Sequence, residues 1–109
     1  MIITDRTYAL YIGADNVTHA LRSDTLSTLA EVMAWEGIDG YSVDCLSGMW
    51  RGQAEESVRV TVSTDEGRAR RMANSLASRL NQDSVGIVDI GPAMQFIGAT
   101  IRLPEFATS

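Results

Sequence analysis

The chain has 109 residues, 45% of them hydrophobic and 21% charged, with a formal net charge of −5 at neutral pH. That length gives one domain, residues 1–109, with room for a two-layer core, and no apolar run approaches the ~20 residues needed to span a bilayer. All nine basic residues are arginine; the acidic balance argues against nucleic acid as a partner and favours a cationic small ligand or a basic one.

The opening residues Met1-Ile2-Ile3-Thr4-Asp5 lack a basic segment followed by an apolar core, which predicts no secretory signal and a cytoplasmic protein. Thr7 to Gly13 is rich in aromatic and β-branched residues and reads as the first strand. A polar stretch containing the lone His19, which reads as a surface residue, leads to a helix. Ser23 or Asp24 is its expected cap, Leu26, Leu29, Ala30 and Met33 its apolar stripe, and Gly37 its stop, with Trp35 placed to cover the sheet. Ile38 to Leu46 follows as the second strand. It carries the single cysteine, Cys45, which reads as a small buried hydrophobe. One cysteine and one histidine give neither a disulfide nor a zinc site, so no metal and no cofactor are expected.

Ser57 to Ser63 alternates cleanly and reads as the third strand. Ser63-Thr64-Asp65-Glu66 has the form of a capping box and opens a second helix with the stripe Ala69, Met72, Ala73, Leu76, Ala77 and Leu80. Arg68, Arg70 and Arg71 read as part of its solvated face. Asn81-Gln82-Asp83 ends it, Ser84 to Ile90 gives a fourth strand, and Met94 to Arg102 a fifth closed by Pro104. Gly86 and Gly98 inside these runs suggest a bulge or a close backbone approach. The order is that of an α+β, ferredoxin-like β-α-β-β-α-β antiparallel sheet with two helices on one face and an extra C-terminal strand. Its bare face predicts a homo-oligomer.

Between the second and third strands lies Gly48-Met49-Trp50-Arg51-Gly52-Gln53-Ala54-Glu55-Glu56. A hairpin needs two to five connecting residues, so this longer segment, with an aromatic and two carboxylates, reads as a binding loop on a rigid sheet. The alternative is that Trp50 covers an edge of the core while Glu55 and Glu56 are solvated.

From about Gly40 to Gly98 the chain resembles the bacteriophage S-adenosylmethionine (SAM) lyases, anti-restriction enzymes formerly called hydrolases. The resemblance is carried by Leu46-Ser47-Gly48-Met49-Trp50-Arg51, by Glu55-Glu56 ahead of Val58-Arg59-Val60, and by Gln82-Asp83-Ser84-Val85. The family's aromatic is usually tyrosine where this chain has Trp50, and its loop to the glutamate is several residues longer. The resemblance implies a homotrimer in the host cytoplasm with the ligand between subunits. It also implies cleavage of SAM to methylthioadenosine and homoserine lactone, which starves methylation-dependent restriction. Glu55 or Glu56 would pair with the substrate ammonium and Trp50 would lie on the sulfonium or the adenine. Glu105, after Pro104, reads separately as an acid that reaches a neighbouring subunit's pocket, the alternative being a solvated tail glutamate. Two other readings stand beside it: a non-catalytic protein that sequesters a ligand or blocks a host defence factor, and an oligomerisation module in which Glu55 pairs with Arg59.

Overall fold

The computed structural model describes residues 5–15, 17–95 and 97–98. Six elements follow in the order β1 (Arg6–Ile12), α1 (Thr25–Trp35), β2 (Ser42–Trp50), β3 (Gln53–Thr64), α2 (Glu66–Arg79) and β4 (Gly86–Pro92). The strands form one antiparallel sheet in the order β2-β3-β1-β4. This is the ferredoxin-like α+β arrangement.

Alternation along the two central strands builds the core. Tyr8, Leu10 and Ile12 of β1 and Val58, Val60 and Val62 of β3 are buried on one face. There they pack with Leu29, Val32 and Met33 of α1 and with Ala69, Met72, Ala73 and Leu76 of α2. Each fully buried aliphatic side chain contributes about 1.5–3 kcal/mol, so these residues fix which face the helices cover. The register sets Thr7, Ala9 and Tyr11 beside Ser63, Thr61 and Arg59 on the opposite, helix-free face. Val88 joins them from β4.

The helices depart from their sequence reading at their N-termini and in the stripe of α1. Asp24 is the N-cap of α1 but its side chain makes no capping bond; Arg22 engages both of its carboxylate oxygens at 3.0 Å. The buried stripe is Thr25, Thr28, Leu29, Val32 and Met33, whereas Leu26 and Ala30 face solvent. Trp35 does not cover the sheet and is 88% exposed. The expected Ser63–Glu66 capping box does not form. Pairing of β3 with β1 continues to Thr64, holding Ser63 in the strand, where its hydroxyl bonds Thr7 Oγ1 at 2.8 Å. Asp65 caps α2 instead, accepting from the Arg68 amide at 2.8 Å. That bond, first among its partners, lowers the Asp65 pKa.

Both helices end as the sequence indicates. Gly37 stands at φ 72°, with its amide donating to the Ala34 carbonyl and that of Ile38 to Met33, a Schellman closure. Ile38 is therefore part of the helix stop, and β2 begins at Ser42. Asn81 takes the same role after α2 at φ 54°, with the Gln82 amide donating to Ala77.

Cys45 is exposed, contrary to expectation. Its strand, β2, is the sheet edge beyond the reach of the helices. Arg70 and Arg71 are exposed, Arg70 pairing with Glu66 at 3.0 Å and Arg71 with Glu36 at 3.1 Å, while Arg68 is half-buried beside Asp65 and Glu36. Of the expected fifth strand, Met94, Gln95, Ile97 and Gly98 are not in a strand, and the remainder, like Glu105, lies outside the described residues. No helix among the described residues is long and apolar enough to cross a membrane.

Candidate functional site

The segment that reads as a binding loop is a continuous β-hairpin. Trp50 pairs with Gln53, Met49 with Ala54, Gly48 with Glu55 and Ser47 with Glu56, leaving Arg51 and Gly52 as a two-residue turn. Both have positive φ, 51° and 79°, which is the requirement of a type I′ turn and matches the twist of the flanking strands. The functional side chains therefore sit on strand ends.

Alternation separates the two acids. Glu55 shares the helix-free face with Ser57 and Arg59, while Glu56 shares the other face with Val58 and is exposed. Glu55 lines a half-open cleft of about 690 Å³ at the end of the sheet where β1 stops and β4 starts. This volume lies in the range of small-molecule sites. Trp50, Tyr11, His19 and Gln82 line the same cleft; Glu56 does not.

Each wall has a local cause. The Schellman stop of α2 turns Gln82 back toward β1, where its amide nitrogen donates to the carbonyls of Gly13 at 2.9 Å and Ala14 at 3.0 Å. This ties the end of β1 to the start of the β4 segment. Gly86 stands opposite Tyr11, and a Cβ there would lie 3.4 Å from the Tyr11 Cβ. That is ordinary van der Waals contact, so Tyr11 packs beside this position without requiring a glycine there. Asp15 folds the next loop by accepting from the amides of Val17 at 2.8 Å and Thr18 at 3.0 Å. Those bonds, Thr18 first, hold its carboxyl below the usual carboxylate range.

The electrostatics of the cleft are negative. Among the described residues, Asp15, Glu55 and Asp83 contribute three carboxylates against the single guanidinium of Arg51. The Glu55 side chain is 22% exposed, and its Oε1 lies 3.4 Å from Nδ1 of His19. Trp50 is 62% exposed, so it does not close an edge of the core. Arg51 stands over its ring, 5.4 Å from the centroid, within the range of a cation–π contact. Arg59 is not the partner of Glu55: it pairs with Asp44 across the hairpin at 3.1 Å, and this bond, with a lesser one to Tyr11, raises its pKa.

The fold resembles that of a phage SAM lyase. An apo structure of phage SAM lyase matches with a TM-score of 0.56 and 19% identity over 96% of this chain and 97% of that one. Phage SAM lyase in complex with S-methyl-5′-thioadenosine matches at 0.51 and 16%, over 87% and 88%. A DUF3240 family protein from Shewanella baltica OS155 matches at 0.56 and 12%, over 93% and 100%. At these identities the likeness is one of fold. No protein-family model and no curated protein matches the chain.

Beside Trp50 and Glu55, singled out in the sequence, the cleft holds Tyr11, His19 and Gln82, which were not assigned to it. Tyr11 was discoverable: its place in the alternation of β1, out of step with Leu10 and Ile12, puts it on the bare face. His19 carries no such signal, and Gln82 stood out only within the Gln82-Asp83-Ser84-Val85 resemblance, without a place in the cleft, since only the tertiary arrangement brings their segments to the hairpin. Among the described residues no cluster of His, Cys, Asp and Glu has the makings of a metal site.

Proposed function

We propose that this protein is a SAM lyase that converts SAM to methylthioadenosine and homoserine lactone. The observation that carries the reading is the Glu55 carboxylate, partly buried in a net-negative cleft beside Trp50 and Tyr11, on a fold similar to phage SAM lyase.

The reaction asks little reactive chemistry of the protein. An oxygen of the substrate's own carboxylate attacks its γ-carbon, the C–S bond breaks, and the electron pair moves to sulfur. The sulfonium becomes a neutral thioether, the carboxylate becomes the ring ester, and the ammonium keeps its charge, so neither water nor a proton is consumed. A bound pose that brings carboxylate and γ-carbon together supplies the proximity term, and exclusion of water from the carboxylate supplies the desolvation term. In this reading Glu55 pairs with the ammonium and holds the amino-acid tail curled. Trp50 meets the sulfonium or the adenine, a contact of ~1–2 kcal/mol when desolvated. Because the sulfonium loses its charge as the bond breaks, that contact aids binding more than rate.

The homotrimer with ligand between subunits belongs to the same proposal. It is supported by the apolar side chains that β4 leaves exposed, Val88 and Ile90 at 47% and 53%. A cytoplasmic, anti-restriction role in a phage-infected host follows from the reaction as its biological setting. Incubating the folded protein with SAM and resolving methylthioadenosine by chromatography tests the activity, and absence of product at high protein concentration removes it. Arg51 stands over the Trp50 ring, so a sulfonium meets that face only when the guanidinium moves aside. The ligand-sequestering alternative predicts SAM binding without product.

A further inference from the structure

We infer that His19 is a built-in competitor for the Glu55 carboxylate: its imidazole stands where the cation of a ligand pairs, leaving the cleft open to that ligand when the ring is neutral and opposed to it when the ring is protonated. The inference deepens the SAM lyase reading and rests on it for the identity of the ligand.

Three observations place the device. First, Nδ1 of His19 lies 3.4 Å from Oε1 of Glu55, the acid of the hairpin that lines the cleft. Second, the backbone delivers the ring there by construction. His19 stands at φ 60°, a conformation uncommon for a residue with a side chain. Asp15 fixes it through the bonds of its carboxylate to Val17 and Thr18, its carbonyl's bond to the His19 amide at 2.9 Å and its own amide's bond to Ala20 at 2.8 Å. Third, the pair is open to exchange. The His19 side chain is 46% exposed, and an ion pair so placed is weak, so a ligand that makes a better-desolvated contact displaces it.

Histidine as a residue type changes charge between about pH 5 and 8. The charged and titratable groups that face the ring come from every wall of the cleft: Asp15 from its own loop, Tyr11 from β1, Arg51 and Glu55 from the hairpin, and Asp83 from the α2–β4 connection. Of these groups His19 is the one in contact with the Glu55 carboxylate, so the charge on its imidazole bears directly on whether Glu55 is free to take a cation.

The test measures KM and kcat for SAM, or its dissociation constant by calorimetry where there is no turnover, from pH 5.5 to 8. Wild-type protein is compared with His19→Asn, neutral and tolerant of the left-handed backbone, and with His19→Lys, permanently charged. Folding and assembly of each are checked by circular dichroism and light scattering. In the wild type KM rises from pH 7.5 to 5.5 by up to about fivefold, the ceiling set by so exposed an ion pair. In His19→Asn most of that rise disappears, and in His19→Lys KM is already high at pH 7.5. Titration of the substrate itself is common to all three and cancels. If the KM profiles of wild type and His19→Asn coincide while SAM is still turned over, the inference is overturned and the lyase reading stands. If the wild type neither binds nor cleaves SAM at any pH, the lyase reading falls and takes this inference with it.

Discussion

Replacing Glu55 by glutamine removes one negative charge from the cleft and keeps the side chain's shape. The carboxylate is 22% exposed, so in the proposed lyase its contact with the substrate ammonium would be a partly desolvated, charge-assisted hydrogen bond contributing about 1.5–3 kcal/mol. At about 1.4 kcal/mol per tenfold, KM for SAM rises roughly 10- to 100-fold. The fold loses only the His19 contact between partly exposed groups, about 1 kcal/mol or less. Glu56→Gln is the matched control: Glu56 is exposed, on the opposite face of the same strand, and outside the cleft. An exposed substitution of that kind stays within about twofold. Initial rates of methylthioadenosine formation, with circular dichroism and light scattering on both variants, decide the matter. An equal or larger effect from Glu56→Gln refutes the assignment, and loss of activity by Glu55→Gln together with dissociation of the assembly points to an interface role instead.

Gln82→Ala removes both bonds that tie Gly13 and Ala14 to the α2 stop. It costs about 1–2 kcal/mol and lowers Tm by roughly 4–8 °C per kcal/mol; a shift within about 2 °C contradicts the role given to this side chain. Asp65→Ala removes the α2 cap at a cost of about 1 kcal/mol at neutral pH. Because the Asp65 pKa is lowered in the folded state, its contribution is complete above the unfolded carboxylate pKa and is lost as pH falls through the folded one. The stability gap between wild type and variant therefore closes in acid below about pH 4, and a gap constant from pH 7 to 2 by denaturant titration contradicts it. Arg51→Asn puts a residue that readily accepts positive φ into the hairpin turn and raises stability by roughly 0.5 kcal/mol; an unchanged or lowered denaturation midpoint argues against the turn geometry.

The central strands and α2 were legible because burial imposes a period on them. Val58, Val60 and Val62 alternate, and Ala69, Met72, Ala73 and Leu76 recur every three or four residues. The hairpin was not, because neither face of its outer half is buried and no apolar period marks it. Its turn is Arg51-Gly52 rather than the Asn-Gly that announces type I′ geometry. Ser63 and Asp65 both have capping chemistry, and only the pairing of β3 with β1 through Thr64 decides between them. Cys45 and Trp35 show the same limit from the other side. Their hydrophobicity suggests burial, but the edge position of β2 and the orientation of α1 leave them outside. Within the cleft, Trp50 and Glu55 lie on one hairpin and could be read together. Tyr11, His19 and Gln82 come from three separate segments, so their convergence is a property of the topology.

The claim at the centre of the account is that a bound cation is held by a negative cleft and cuts itself, with no water entering the C–S bond. Turnover of SAM in ¹⁸O-labelled water, read by mass spectrometry of both products, tests it directly. The account predicts methylthioadenosine and homoserine lactone in equal amounts, with no label on the oxygen bound to the γ-carbon, even after the lactone later opens at its carbonyl. Label at that γ-oxygen means that water was the nucleophile, and it contradicts the account.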